Sequence, residues 1–197
     1  MNIIFVKHGK KYHEGHVNRL YSQLVQYYPN AKYHCYTEYP QGINEQVNII
    51  WCFNKPSLKY WWNKLALFSE DFPVEGKCLF FDLDMDIKAD PSSFIKWNGL
   101  TLIDSYWKRD LYMAPHAYDV LINSSIITWT AGEQNHIWEH FLSGKDYFMR
   151  KYVGIDRFLV HEKMQFNIFE HGIVNSVANE NVDNAPIDMY NGIDYEL

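Results

Sequence analysis

Short apolar runs alternate along the chain with segments in which apolar residues recur every three or four positions, the pattern of strands interleaved with amphipathic helices. Asn2 to Val6 is the first run and leads into a loop containing Gly9; Val17, Leu20, Tyr21, Leu24, Val25 and Tyr28 then recur at helical spacing. Pro29 and Asn30 stop that helix, Lys32 to Thr37 reads as a second strand, and Val47 to Phe53 as a third. Ser57 is placed to cap a helix whose apolar face is Leu58, Trp61, Trp62, Leu65 and Phe68, closed by Phe72 and Pro73.

Lys77 to Leu83 rises from a turn at Gly76 as a continuous apolar run, Cys78-Leu79-Phe80-Phe81, and ends among Asp82, Asp84 and Asp86. Such a run suits a central parallel strand covered on both faces. Further strands are expected at Leu100 to Asp104 and Val120 to Trp129, helices at Glu133 to Leu142 and from about Asp156 to Phe169, and terminal strands at Ile173 to Val177 and Ile187 to Asn191. The alternation implies an α/β fold, a mostly parallel central sheet flanked by helices, whose ligands sit beyond the carboxyl ends of the strands. There is no internal repeat, heptad register or low-complexity tract, and residues 1–197 read as a single domain.

Composition narrows the function. With 47% apolar and 17% aromatic residues the whole chain is expected to fold. Lys and Arg total 18 against 24 Asp and Glu, so the net charge of −6 provides no overall positive field for nucleic acid or anionic lipid. Any bound phosphate must be held locally. Cys35, Cys52 and Cys78 lie in apolar segments without CxxC spacing, which fits free thiols in a reducing compartment. No apolar stretch approaches the ~18 residues of a membrane span. Ile3 to Val6 precedes Lys7, His8, Gly9, Lys10 and Lys11, the wrong order for a secretory signal. The expected location is the cytoplasm.

Asp82, Asp84 and Asp86 would share one face if the strand continued through them, and three crowded carboxylates call for a cation or for donors from elsewhere. Oxygen ligands of this kind favour Mg2+ or Mn2+. The plain alternative is a strand end with acids facing solvent. A calcium EF-hand loop does not fit, because Ile87 and Ser93 occupy the positions where it needs Gly and a carboxylate. A haloacid-dehalogenase-like phosphatase shares Phe81-Asp82-Leu83-Asp84, with Asp82 as nucleophile, but continues differently from Met85-Asp86 and usually opens its core with the motif.

The series Lys64-Leu65, Gly76 through Asp84, Asn123-Ser124-Ser125 and Gly154-Ile155-Asp156 resembles the GT-A glycosyltransferases with their DxD motif, particularly the glycogenin and bacterial galactosyltransferase group. The resemblance covers most of the chain and implies a GT-A-like, Rossmann-like domain. It also implies a metal-dependent hexosyltransferase, leaning to retention, that moves a sugar from a nucleotide diphosphate-sugar such as a UDP-sugar to an acceptor hydroxyl. By this resemblance Asp84 coordinates the metal directly, Asp82 contacts both metal and ribose, and Lys64 reaches phosphate or donor sugar. Val6, Lys7 and Tyr12 adjoin the nucleotide. Asn123 matches an amide near the sugar and Asp156 an acid that grips sugar hydroxyls. Relatives commonly end in a metal-binding His-Gly; here Asn191-Gly192 stands in the comparable place, with His171 as a substitute. The missing His keeps open a second reading, a nucleotide-sugar binding domain without turnover.

Two histidine motifs compete with this. His136-Ile137-Trp138-Glu139-His140 spells the HxxEH of inverted zinc peptidases, but Ile137, Trp138, Phe141 and Leu142 make an ordinary amphipathic stripe beside it. His161-Glu162 begins like a zincin, but Gln165 replaces the second His. His8, His13 and His16 crowd the first loop, where they could assist with phosphate charge, although the plainer reading is solvated loop histidines.

Overall fold

Ile3 and Phe5 enter one core and Ile4 the opposite one, so β1 (Asn2–Lys7) is covered on both faces and runs through the middle of the fold. The structure is a computed structural model and describes residues 1–52, 58–111, 120–179 and 182–190. From β1 the chain passes through α1 (Glu14–Leu24), β2 (Lys32–Thr37) and β3 (Val47–Trp51) to a 3-10 segment, Tyr60–Phe68. Next come β4 (Lys77–Phe81), β5 (Met85–Ile87), β6 (Thr101–Asp104), a second 3-10 segment (Tyr106–Leu111) and β7 (Ile122–Thr130). Helices α2 (Asn135–Ser143), α3 (Lys145–Lys151) and α4 (Ile155–His161) precede β8 (Asn167–Ile168), β9 (Val174–Ser176) and β10 (Ile187–Met189).

The main sheet has seven strands in the order β3-β2-β1-β4-β7-β6-β8, and a smaller sheet has the order β5-β10-β9. Pairs β1–β2, β2–β3, β1–β4 and β6–β8 are parallel, whereas β7 is antiparallel to both β4 and β6. The strand order therefore reverses between β1 and β4. At such a switch point the connections leave in opposite directions and a crevice opens beyond the carboxyl ends.

Alternation along β4 divides the two cores in the same way as β1. Cys78 and Phe80 join Trp62, Leu65, Phe68, Trp129, Phe141 and Phe158 on one face, while Leu79 and Phe81 join Val17, Leu20, Leu24, Met85 and Ile187 on the other. The thiols of Cys35 and Cys78 are buried and free, and burial pushes both up to about 12. Among the described residues no helix is long and apolar enough to cross a membrane.

Four local expectations change. Residues 60–68 form a 3-10 segment instead of an α-helix, and every residue from Trp62 to Phe68 is buried, so no single face is left for solvent. Tyr60 starts it at φ 52, in the left-handed region, and Ser57 lies outside the described residues, as does Phe53. The helix expected up to Phe169 stops at His161. Lys163 is left-handed at φ 58, and Asn167 and Phe169 donate their backbone N–H groups to Leu100 and Leu102, so the sheet edge takes this segment instead. Helix α3 arises where no sequence signal was recognised. Finally, β4 ends at Phe81 and Met85 to Ile87 pair with β10, so Asp82, Asp84 and Asp86 do not form one row.

His13 and His16 are not free loop residues. The His13 ring accepts from the Gly15 N–H at 3.1 Å and the His16 ring accepts from the His13 N–H at 3.3 Å, a reciprocal cap at the start of α1. His140, from the HxxEH sequence, meets Glu162 at 2.9 Å, and Glu162 also accepts from the Tyr152 hydroxyl at 2.5 Å and from Lys151 at 3.3 Å. One carboxylate thereby ties α2 and α3 to the end of α4. The Tyr152 hydroxyl, followed by His140 and Lys151, lowers the Glu162 carboxyl from the ordinary 4.5 to about 2. The ionised form therefore stabilises the fold above pH 4.5, and this contribution fades as the pH falls through about 2. Glu162→Gln should lower the thermal midpoint at neutral pH, with the gap to wild type closing on acidification. A constant gap from neutral to pH 2 in a melting series would contradict this account.

Candidate active site

The crevice at the switch point is built from the residues that follow β1 and β4. The Asp82 N–H donates to the Ser125 carbonyl at 2.8 Å, which holds the chain against β7 for one residue beyond β4. Asp82 continues the face of Phe80, and across that face lies Lys64 of the first 3-10 segment. The Lys64 ammonium is 2.6 Å from the Asp82 carboxylate, donates to the Ser124 carbonyl at 3.2 Å, and sits 5.2 Å from the Phe80 ring centre. Burial pushes the Asp82 carboxyl up, with Asp84 adding to the effect, against the pull of Lys64 and a hydrogen bond from Ser125.

Asp84 lies on the loop beyond and accepts a hydrogen bond from the Tyr12 hydroxyl; burial, together with the charges of both acids, moves that phenol well above its ordinary value. Asp82, Asp84, Tyr12 and Lys64 open onto a cavity of about 340 Å³ whose remaining walls are Val6, His8, Lys11, Tyr60 and Trp61. The two acids thus share a hollow with two ammonium groups nearby. That is a donor set of hard oxygens suited to a small divalent cation, with further charge available for phosphate.

A second cavity, about 230 Å³, adjoins the first through Trp61 and Lys64 and is lined also by Asn123, Ser124, Ser125, Gly154 and Asp156. Asp156 enters from the first turn of α4; its Oδ2 lies 3.9 Å from the Lys108 ammonium and its Oδ1 is buried with no partner among the described residues. A buried carboxylate oxygen without a donor is costly, and a ligand hydroxyl would satisfy it. Gly154 is required here on two counts. Its φ is +93, and a Cβ would come within 3.3 Å of Trp61 Nε1. Asn123 spends its side-chain oxygen on the Ser125 N–H at 2.8 Å, which shapes the β7 edge of the cavity.

The structure places the other sequence candidates as follows. Val6 lines the larger cavity, but Lys7 sends its ammonium to the Tyr39 carbonyl at 2.9 Å, the next residue along a strand pointing to the opposite face. Asp86, which the sequence leaves either as an acid supporting the pair or as a solvent-facing residue, is gripped by Arg19 at 2.5 Å, Gln23 at 3.0 Å and Tyr190 at 2.9 Å. Burial alone would raise its carboxyl, but those donors hold it below the usual aspartate range. Arg19 also donates to the Met85 carbonyl at 2.7 Å, so this cluster anchors the loop that presents Asp84. His171 packs edge-on against the Tyr106 ring at 4.9 Å, and Asn191 lies outside the described residues.

Sequence reading missed Tyr60 and Trp61 as site residues by assigning Trp61 to a buried helical face; they are 75% and 45% exposed. The signal was present in Tyr60-Trp61-Trp62, because three consecutive large aromatics cannot all enter one core face.

No family model matches the sequence, and no curated protein matches it. Solved structures do resemble the fold. The galactosyltransferase LgtC, solved in complex with donor and acceptor sugar analogues, matches at a TM-score of 0.65 with 13% identity, over 98% of this chain and 87% of that one. A glycosyltransferase involved in glycosylating the major capsid of PBCV-1 matches at 0.56 with 13% identity, over 97% of this chain and 93% of that one. The glycosyltransferase GlyE of Streptococcus pneumoniae TIGR4 matches at 0.61 with 13% identity, over 87% of this chain but 46% of that one, so this chain spans about half of GlyE. The fold is that of the GT-A-like glycosyltransferases, with a mostly parallel central sheet flanked by helices.

Proposed function

We propose that residues 1–197 form one sugar-transfer domain, a metal-dependent glycosyltransferase that uses a nucleotide diphosphate-sugar, in our reading a UDP-sugar, and an acceptor hydroxyl. The observation that carries this is the pair Asp82 and Asp84 at the strand-order reversal, opening onto a cavity that joins a second one holding an unpartnered Asp156 oxygen. The fold likeness supports the same reading.

In this reading Asp84 and Asp82 hold Mn2+ or Mg2+, with Asn191 a further oxygen donor. When bound, such an ion offsets the charge that develops on a departing diphosphate. Lys64, fixed by Ser124 and by Asp82, adds a positive charge at the join of the two cavities, where the bond to the diphosphate would lie. The backbone near Val6 and the Tyr12 ring border the nucleotide. In the smaller cavity Asp156 accepts sugar hydroxyls, and Asn123 stiffens the wall opposite. Retention of anomeric configuration belongs to the reading through its resemblance, and a cytoplasmic setting fits the free thiols Cys35, Cys52 and Cys78.

Thermal-shift screening tests this directly. UDP or a UDP-sugar at about 100 times its Kd should stabilise the protein by about 2.7 kcal/mol, or about 5–10 °C for a chain of this size. The shift should require Mn2+ or Mg2+ and be smaller with GDP. Equal shifts with and without the ion, or none with any nucleotide diphosphate, would remove the reading. Mn2+-dependent stabilisation without turnover of any donor would leave a binding domain.

A further inference from the structure

We infer a second cation site, for Zn2+, formed by His8, Glu38 and Cys52 at the edge of the sheet. It is independent of the transfer reading. The last paired rows of the three parallel strands are Lys7–Thr37 and Thr37–Trp51, so extending the register by one residue puts His8, Glu38 and Cys52 in a single row across β1, β2 and β3. They stand directly above the row Val6, Tyr36 and Ile50, which packs into one core, and their side chains emerge on that same face.

The geometry is already close to that of a ligand set. His8 Nδ1 lies 3.1 Å from one Glu38 oxygen and Cys52 Sγ 3.4 Å from the other, and the three ligand atoms fall within 4.8 Å of one another. Bond lengths of 2.0 to 2.3 Å around a tetrahedral zinc place ligand atoms roughly 3.3–3.7 Å apart, so little movement is needed. The Gly9 N–H fixes the carboxylate at 2.7 Å. His8 Nδ1 is buried and, although 3.1 Å from Glu38, has no hydrogen-bond partner among the described residues, so this nitrogen is not committed to another group. A second orphan supports this. The Tyr36 hydroxyl, on a residue 2% exposed and neighbouring both Cys52 and Glu38, has no hydrogen-bond partner among the described residues.

A nitrogen, an oxygen and a sulfur suit zinc and not the hard ions that two aspartates favour, so the site is chemically separate from Asp82 and Asp84. On binding, the Cys52 thiol releases its proton to solvent as the sulfur–zinc bond forms, and three protein ligands leave one position for water. His8 also borders the cavity of the acid pair, so a bound ion would add positive charge at that rim.

Titration with Co2+, a visible substitute for zinc, reports the thiolate through a near-ultraviolet charge-transfer band, and competition against a chelating dye gives the Zn2+ affinity. Wild type should bind one ion with the band, Cys52→Ser should lose the band, and Asp84→Asn should keep it. His8→Gln, at a partly exposed position, should bind Zn2+ at least roughly tenfold more weakly, which decides the matter if Cys52→Ser fails to fold. No band in wild type, an undiminished band in Cys52→Ser, unchanged affinity in His8→Gln, or loss of the ion in Asp84→Asn would overturn the assignment.

Discussion

Asp84→Ala should reduce Mn2+-dependent hydrolysis of the nucleotide-sugar donor by roughly 10²–10³-fold, the range seen when one preorganised electrostatic group is removed from a developing charge. Asp84 is the acid of the pair without a lysine at 2.6 Å; that contact belongs to Asp82 and Lys64. It therefore has more freedom to ligate an ion. Truncating it also removes a negative charge that raises Asp82, so the folded state loses little, and the thermal midpoint should stay within a few degrees of wild type. Turnover and stability thus separate. Asp86→Asn should behave the opposite way, with its first effect on the melting curve, because it breaks the grip of Arg19, Gln23 and Tyr190. Parallel donor-hydrolysis and melting curves for both variants make the comparison. An Asp84→Ala enzyme with wild-type turnover would end the role assigned to the acid pair.

Phe158→Ala should cost about 3–5 kcal/mol, the range for deleting a fully buried aromatic ring. Phe158 is 0% exposed and its ring lies 5.1 Å from Phe148, 5.7 Å from Phe141 and 6.1 Å from Trp62. Those neighbours come from α3, α2 and the 3-10 segment, so no one element can collapse into the hole without leaving another. For a chain of this length the thermal midpoint should fall by about 6–20 °C. Urea unfolding should show a lower midpoint with an unchanged slope, since the extent of surface exposed on unfolding is preserved. The substitution reaches the site too. Asp156 rides on the same helix two residues earlier, and Phe158→Leu, which refills most of the volume, should recover most of the stability. A loss under about 1 kcal/mol for Phe158→Ala would show that the aromatic cluster is looser than its packing indicates.

The strand signals were legible because they rest on local chemistry. Cys78 to Phe81 is apolar at every position, and only a strand with a core on each side accommodates that. Helix α3 and the shortened α4 were not legible, because their boundaries follow from partners far along the chain. Lys163 turns left-handed so that Asn167 and Ile168 can pair with Thr101 and Leu102, a contact no local window contains. Asp82, Asp84, Lys64, Asn123 and Asp156 were named from sequence, and each lines one of two adjoining cavities. Lys7 was the exception, since the direction of a side chain at a strand end depends on where pairing stops.

From the order of residues alone came the α/β class, the apolar strand that ends in acids, and the lack of a positive field, all consequences of side-chain period and charge that need no partner. Only the tertiary structure decided that β4 ends at Phe81, which separates Asp86 from the other two acids, and that Lys64 meets Asp82 from 18 residues away. It alone also aligned His8, Glu38 and Cys52 in one row. The reason is physical: pairing register and the packing of a 3-10 segment against a sheet are set by contacts between distant parts of the chain, and those energies are not written in any short stretch of sequence.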